Sequence, residues 1–238
     1  MRRLKRNTSR ILVISDYHAP YEHPDMPAFY AAIKKKYDPT YVILSGDEVD
    51  NHGLSYHEHD PDLSNAGKEL DLAKKHLKIL YKLFPEADVL HSNHGCLLSR
   101  KALTHGIPKA MLKSTREILG APKGWNWHFD ILVRLPSGYD CYFHHSKGAN
   151  VLNNAQKMGC SFVQGHHHEK FEINYYSTPT GLNFGMTVGC SVNQKSAAFA
   201  FAKNNTKRFI LGCGIIIEGI PQLIPMLLDK NYRWTGKL

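Results

Sequence analysis

The stretch Ile11-Leu-Val-Ile-Ser-Asp-Tyr-His18 decides the fold. It opens with a short apolar run and closes on Asp16 and His18, which is typical of a buried strand followed by polar side chains. Met26–Tyr37 then shows helical spacing, and Tyr41–Ser45 is a second apolar run. These segments have the order and length of a βαβ unit, so the sequence predicts an α/β fold.

The alternation of strands and helices continues along the chain. Asn65 to Phe84 places apolar residues at spacings of three and four, which predicts an amphipathic helix. Further helices are predicted at Cys96–Thr104, Pro108–Leu119 and Ala149–Met158. Further strands are predicted at Asp88–His91, Ile131–Leu135, Cys141–His144, Ser161–Gln164, Phe171–Tyr176, Phe184–Val188, Lys207–Gly212 and Ile215–Glu218. We therefore predict a single α/β domain over residues 11–238, with a β-rich C-terminal part, after a solvated basic arm at residues 1–10.

The composition indicates a globular protein with an anionic partner. Of the 238 residues, 42% are hydrophobic, which is enough for a packed core and excludes disorder, collagen and coiled coil. The 30 lysines and arginines exceed the 21 acidic residues, giving a formal charge of +9. The 15 histidines indicate a metal or acid–base site, because imidazole is the commonest metal ligand and titrates near neutral pH.

The cysteines and the hydropathy pattern favour the cytoplasm. The five cysteines contain no Cys-x-x-Cys pair, so neither a disulfide framework nor a structural zinc site is expected. The most apolar stretch, Ile215–Leu228, is interrupted by charge, glycine and proline, whereas a membrane span needs about 20 apolar residues. The basic N-terminus precedes an apolar run that is too short for a signal peptide, so we expect no membrane partner.

Five polar clusters follow successive predicted strands, at the edge where open α/β sheets bind ligands. They are Asp16-Tyr17-His18, Gly46–Asp50, Asn93-His94, His144-His145 and Gly165–His168. Carboxylates, imidazoles and an amide form a mixed donor set that suits Mn²⁺, Fe or Zn²⁺ better than Ca²⁺, and its size allows two ions. Two adjacent ions can bind a phosphoryl group and generate hydroxide at neutral pH, so this donor set favours phosphoester hydrolysis.

The order of these motifs, D-x-H, G-D-x-x-D, N-H, H and G-H-x-H, resembles that of the calcineurin-like metallophosphoesterases. Residues 15–21, with Gly46–Asp50 and residues 60–62, resemble the small bacteriophage-encoded members in particular. The resemblance implies a four-layer α/β/β/α sandwich and a cytoplasmic enzyme, in the host cytoplasm if it is phage-encoded. It also implies two divalent ions, with Mn²⁺ expected first and Fe, Zn²⁺ or Ni²⁺ as alternatives.

The same resemblance implies a role for each motif residue. The first ion would be held by Asp16, His18 and His168. Asp47 would bridge the ions, and the second would be held by Asn93, His166 and either His144 or His145. We favour His145, because the family's motif histidine is usually followed by a small residue, here Ser146. The catalytic candidates that need not bind metal are His94, near the leaving group, and Asp50, as a supporting carboxylate.

Two positions depart from the family pattern. Ser92 replaces the usual glycine before the asparagine, and this is tolerated if the backbone there avoids positive φ. Gly95 replaces the usual acidic residue after His94. Loss of that acid would remove an orienting hydrogen bond, which would reduce turnover or change the metal preference without changing the fold.

Two conspicuous segments receive less weight. His57-Glu58-His59-Asp60 imitates the metal motif of the metallo-β-lactamase fold, but its aspartate comes one residue early and no histidine follows. We expect a solvated loop there, with substrate-side contacts as the alternative. The aromatic run Trp125–Phe129 is more typical of a core or lid than of a base-stacking platform.

The expected reaction is hydrolysis of a phosphomonoester or phosphodiester by in-line attack of a bridging hydroxide. His94 would protonate the leaving oxygen or stabilise its charge. Basic residues at 2–10, 34–36 and 203–208 make a nucleotide or nucleic acid a candidate partner, so a nuclease of the same family is one alternative. The alternative from another class is a non-catalytic, metal-stabilised nucleic-acid-binding protein, which predicts salt-dependent binding without turnover.

Overall fold

In this computed structural model of the protein, the described residues are 3–56, 63, 65–179, 181–196, 198 and 208–238. The His57–Asp60 motif and residues 61–62 and 203–207 lie outside them.

The first sheet contains the predicted βαβ unit. Its six strands run in the order β11-β10-β1-β2-β3-β4. They are β1 (Arg10–Ile14), β2 (Tyr41–Leu44), β3 (Ala87–Leu90), β4 (Trp125–His128), β10 (Gly212–Ile217) and β11 (Ile220–Pro225). Strands β1 to β4 pair in parallel, whereas β10 pairs antiparallel with both β1 and β11. The carboxyl ends of the four parallel strands therefore lie along one edge.

Two helices cover the outer face of this sheet. They are α1 (Met26–Tyr37) and α2 (Ala66–Leu83). Phe29 and Ile33 of α1 belong to the same buried cluster as Leu12 of β1 and Leu77 of α2. Each of these four side chains is fully buried, so hydrophobic burial fixes both helices on the sheet.

The second sheet has five strands in the order β5-β6-β7-β9-β8. They are β5 (Ile131–Arg134), β6 (Asp140–Phe143), β7 (Ser161–Gln164), β8 (Phe171–Thr178) and β9 (Gly181–Val188). Helix α5 (Val151–Met158) covers its outer face, where Val151 and Ala155 cluster with Phe162 and Tyr142.

The two sheets face each other across a second buried cluster. It joins Val13 and Ile43 of the first sheet to Val163 and Met186 of the second, and all four are fully buried. The layers are thus helix, sheet, sheet, helix, and the predicted four-layer α/β/β/α sandwich is confirmed. All five cysteines are free thiols, as expected. Within the described ranges, no helix combines the length and the apolar character needed to cross a membrane.

Two predicted elements were wrong in detail, and the strands β4 and β11 were not predicted. Pro108–Leu119 is divided into a 3-10 turn at Lys109–Met111 and helix α4 (Thr115–Leu119), because Ser114 forms a capping box with Glu117 and starts a new helix. A shorter helix, α3 (Leu97–Thr104), precedes them.

The strand predicted at Lys207–Gly212 is absent from its described residues 208–211, and β10 begins at Gly212 and contains most of the strand predicted at Ile215–Glu218. Leu211 forms an isolated bridge with Cys190 instead. The aromatic run contains β4, which the sequence analysis did not predict as a strand. Its placement in the core is confirmed for Trp125, which is fully buried, whereas Phe129 is 73% exposed.

The basic N-terminal segment is attached to the domain by ion pairs, although Arg3, Lys5 and Arg6 are exposed to solvent. Arg6 makes two hydrogen bonds to the buried carboxylate of Asp88 in β3, at 2.9 and 3.0 Å. Arg3 bridges to Leu132 in β5 and pairs with Asp140 in β6. The segment therefore contacts both sheets, because its guanidinium groups form ion pairs with a carboxylate in each sheet.

Candidate metal and catalytic site

The five predicted clusters meet at one edge of the sandwich. The loops after β1 and β2 continue to pair beyond the strands, since His18 N donates to Asp47 O at 2.8 Å and Ala19 N donates to Glu48 O at 3.1 Å. The loops after β6 and β7 are joined by a hydrogen bond from Gly165 N to His145 O, at 3.1 Å. Both sheets thus present their loops to the same site.

Several of the candidate ligands have left-handed backbone conformations. The φ angles are 49° at Asp16, 52° at His18, 48° at Asp47 and 69° at His166. Each such residue costs about 1–3 kcal/mol, and residues of this kind cluster at functional sites where the surrounding structure holds them. The inter-loop hydrogen bonds supply that restraint here.

Two glycines permit the close approach of the loops. Gly46 has φ of 96°, and a Cβ there would lie 2.7 Å from His145 Nδ1. A Cβ at Gly165 would overlap Ser15 Oγ and lie 2.5 Å from Asp16 Oδ2. Any larger residue at either position would displace a candidate ligand.

The first group of possible ligands is Asp16, His18 and His168, whose donor atoms lie within 4.8 Å of one another. His168 Nε2 is 3.2 Å and His18 Nε2 is 3.9 Å from Asp16 Oδ1. Burial opposes ionisation of Asp16, but the hydrogen bond and charge of His168 outweigh it, so the pKa of Asp16 is lowered. The buried carboxylate is therefore available to a cation as an anion.

The second group is Asp47, His145 and His166, again with donor atoms within 4.8 Å of one another. His145 Nε2 lies 3.3 Å from Asp47 Oδ2 and 2.8 Å from Asn93 Oδ1. His145 Nδ1 donates to Ser45 O at 2.7 Å, which fixes the ring with Nε2 towards the site.

The structure brings His145, and not His144, into this group. The His144 ring stacks on Tyr142 with the ring centroids 6.3 Å apart, and its Nδ1 accepts a hydrogen bond from Ser146 N. Burial lowers the pKa of His144 to about 4. At His145 burial also opposes protonation, but the Asp47 carboxylate outweighs it and raises the pKa to about 9.

Asp47 lies between the two groups. Its Oδ2 is 3.6 Å from His18 Nε2 and 3.3 Å from His145 Nε2. Although the residue is buried, the charge of His145 holds the pKa of Asp47 well below its usual range. Asp47, a member of the second group, therefore also approaches the first group.

The combined donor set fits divalent metal ions. It consists of two buried carboxylates, four imidazoles and the amide oxygen of Asn93, which is the mixture that Mn²⁺, Fe and Zn²⁺ accept. Burying carboxylates among imidazoles costs free energy unless a cation compensates for it, since both types of group lose hydration.

Asp50 and His94 lie beside the first group, and a third set of nearby donors comprises His18, Asp50 and His94. Asp50 Oδ1 accepts from His18 Nδ1 at 2.6 Å, and Asp50 O accepts from His94 Nδ1 at 2.5 Å. Asp50 thus orients two imidazoles and is a positioning residue. Burial opposes protonation of His94, but the charges of Asp47 and Asp50 raise its pKa, and its side chain is 29% exposed.

Sequence reasoning missed the roles of Ser92 and Glu48. Ser92 Oγ accepts hydrogen bonds from Asp47 N at 2.8 Å and Gly95 N at 3.2 Å, so the serine fastens the Asp47 loop to the Asn93 loop. Glu48 Oε1 accepts from Trp127 Nε1 at 3.0 Å, and burial raises the pKa of Glu48. The unusual serine and the tryptophan were visible in the sequence, but their partners are distant along the chain.

Comparisons with known proteins show low identity. No protein-family model matches the chain, and no curated protein matches it significantly. Among solved structures, Vps29 from Chaetomium thermophilum is similar at 12% identity and a TM-score of 0.48, over 87% of this chain and 83% of that one. Vps29 from Cryptosporidium parvum gives 13% and 0.43, over 90% and 94%. The NAD nucleotidase NadN from Haemophilus influenzae gives 11% and 0.34, over 95% and 53%.

The fold and the site together define the class of the protein. The chain is an α/β sandwich whose described residues include histidine and aspartate groups that could hold metal ions.

Proposed function

We propose that this protein is a metal-dependent phosphoester hydrolase with two divalent ions. The observation that carries the proposal is the position of Asp47, whose carboxylate lies within 4 Å of histidine nitrogens in both groups of donors at the strand ends; of these donors only His166 is exposed. Mn²⁺ is the ion we expect first, with Fe, Zn²⁺ and Ni²⁺ as alternatives. The cytoplasm is the expected compartment, and the relation to bacteriophage-encoded enzymes stays a prediction.

Each candidate residue has a separate task in this proposal. The first ion would be held by Asp16, His18 and His168, the second by Asn93, His145 and His166, and Asp47 would contact both. Ions held there would act as Lewis acids that activate water and neutralise phosphoryl oxygens. Asp50 accepts the Nδ1 proton of His18 and so leaves Nε2 as the ligand atom.

His94 is the candidate acid. Because its Nδ1 donates to Asp50 O, Nε2 is the atom that would give a proton to the leaving oxygen. The partly exposed ring lies against His18, with the two ring centroids 4.7 Å apart, so it would stand beside the scissile bond without holding an ion.

The test is metal-dependent hydrolysis of bis- and mono-p-nitrophenyl phosphate after reconstitution with Mn²⁺, with metal content measured on the same samples. We expect two ions per chain and turnover in the wild type. Asp47→Asn should bind less metal than the wild type, because it removes the negative charge that both ions would share. Two bound ions without metal-dependent turnover of either ester would reject the proposal.

Asp38→Asn is the matched control. Asp38 has φ of 43°, close to that of Asp47, and its side chain is 88% exposed at the far end of α1. Asparagine tolerates this left-handed conformation, so both variants keep the backbone and differ in the site. Single- and double-stranded DNA, tested next, would separate the nuclease alternative from a small-molecule esterase.

A further inference from the structure

A cavity of about 780 Å³ adjoins the candidate site, within the range of small-molecule pockets. Residues of α2, α3, α4 and β4 line it. Two of its wall residues, Asn51 and Gly95, are the chain neighbours of Asp50 and His94, and Asn51 Nδ2 donates to His94 O at 2.9 Å. The cavity therefore lies next to the loops that carry Asp50 and His94, although His94 itself does not line it.

The cavity wall is largely apolar, with two aromatic rings. Trp127 is held by its hydrogen bond to Glu48, and Phe129 lies against His91 with the ring centroids 4.7 Å apart. Phe129 is 73% exposed, so its ring is accessible to a ligand in the cavity. Leucines from α2 and α3 complete the apolar part, including Leu70 and Leu98. A flat apolar group could therefore pack against these rings and aliphatic side chains.

The charged part of the wall has one sign. Lys109, Lys113 and Arg116 line the cavity, and none of the lining residues that the structure describes is acidic. Arg116 is anchored by hydrogen bonds to Trp125 O and Asn126 Oδ1, whereas the two lysines are exposed. The cavity thus combines an apolar floor with a positive rim, which complements an aromatic anion.

Gly95 lies in the cavity wall at the position where the family pattern has an acidic side chain. A Cβ there would lie 3.4 Å from each carboxylate oxygen of Glu48. An acidic side chain at this position would place another carboxyl group beside Glu48 and at the cavity surface. The departure from the family pattern therefore changes the charge of the cavity.

We propose that this cavity binds the leaving group of the substrate, and that this group is an aromatic ring system carrying a second anion. The ring would pack against Trp127 and Phe129, and the anion would lie near Lys109 and Lys113. The assignment as a leaving-group pocket rests on the proposed phosphoesterase function, whereas the binding preference can be measured without turnover.

The test compares two products by isothermal titration of the Mn²⁺-loaded protein at pH 7. The probes are 6-hydroxynaphthalene-2-sulfonate and the uncharged 2-naphthol, which share the ring system and the hydroxyl. We expect the sulfonate to bind at least about fivefold more tightly, since two exposed lysines each contribute modestly. Equal affinities, or tighter binding of 2-naphthol, would overturn the proposal.

Variants locate the preference. The double variant Lys109→Gln/Lys113→Gln should abolish the preference for the sulfonate while 2-naphthol affinity is retained. The matched control, Lys123→Gln/Lys157→Gln, removes the same charge from positions outside the cavity lining and should keep it. If the control lost the preference equally, general charge would be the cause and the pocket assignment would be wrong.

Gly95→Asp provides an independent variant, with Gly95→Ala as its steric control. We expect the aspartate to weaken sulfonate binding more than the alanine does, and an equal effect would count against the proposal.

Turnover of 6-sulfo-2-naphthyl phosphate and 2-naphthyl phosphate is measured in parallel. Absence of turnover with the binding preference intact would reject the hydrolase function and leave the aromatic-anion pocket standing.

Discussion

Asp47 combines three structural demands in one residue. Its backbone is left-handed, its carboxylate is buried, and its Oδ2 lies within 4 Å of histidine nitrogens from both groups. Asp50, three positions later, is also buried but bonds to His18 and His94. Two carboxylates of one short loop therefore have different surroundings, and only Asp47 lies between the groups.

His94 provides the sharpest prediction at the scale of a single residue. Replacing it by alanine should lower kcat by about 10² to 10⁴, because a positioned proton donor contributes that much, while the metal content stays unchanged. The measurement is steady-state hydrolysis together with metal analysis of the same sample. His105→Ala, at an exposed residue after α3, is the control. Equal loss of metal and activity in His94→Ala would contradict its assignment as a proton donor.

At the scale of elements, local signals predicted those strands and helices whose burial pattern is simple. The apolar runs of β1, β2 and β7 are buried throughout, and they were predicted almost to the residue. Strand β4 was missed because it is an edge strand in which Asn126 and His128 interrupt the apolar pattern. The apolar pattern of Pro108–Leu119 predicted one helix. In the structure a local signal, the Ser114 capping box, divides this segment and starts a new helix.

The candidate site shows the same division between local and distant information. The strand-end motifs predicted which residues would converge. The choice between His144 and His145 depends on the carbonyl of Ser45, one hundred positions away, which holds only one of the two rings towards Asp47. The cavity depends on α2, α3, α4 and β4 packing together, and no single segment of the sequence carries that arrangement.

The start of α2 allows a prediction at this scale. Asn65 caps the helix, since its side-chain oxygen accepts a hydrogen bond from Lys68 N at 3.0 Å. Asn65→Ala should reduce the free energy of unfolding by about 1 kcal/mol, as measured by urea denaturation, and Asn65→Ser should restore most of it. A loss in the serine variant as large as that in alanine would show that capping is not the cause.

For the whole molecule, the N-terminal segment joins the two sheets through ion pairs. Asp88 is the most buried of the carboxylates that pair with this segment, and it accepts hydrogen bonds from Arg6, Tyr41 and His128. Burial opposes ionisation, but these bonds outweigh it, so the pKa of Asp88 is lowered. The ionised form is thus stabilised by folding.

This shift predicts how stability depends on pH. A carboxyl whose pKa is lower in the folded state adds stability above its unfolded pKa of about 3.9 and loses it as the pH falls through the folded value. Asp88→Asn should therefore cost about 1 to 2 kcal/mol at pH 7, because Arg6 is 39% exposed and the asparagine leaves no buried charge, and less as the pH falls below about 4. Urea denaturation across this range is the measurement, with Asp38→Asn as control. A cost that is independent of pH would contradict the prediction.

The contribution of both sheets to one site also affects how mutations are tolerated. Asp16, His18, Asp47 and Asn93 follow strands of the first sheet, whereas His145, His166 and His168 follow strands of the second. The spacing of the two ligand sets is therefore set by the buried side chains between the sheets, such as Ile43 and Val163. A change of volume there would alter the spacing of the ligands before it unfolds the chain, because packed cores transmit strain. Natural selection on the site thus also acts on hydrophobic residues that contact no ligand. Substitutions in the core between the sheets are limited by the ligand spacing that the site needs, as well as by stability.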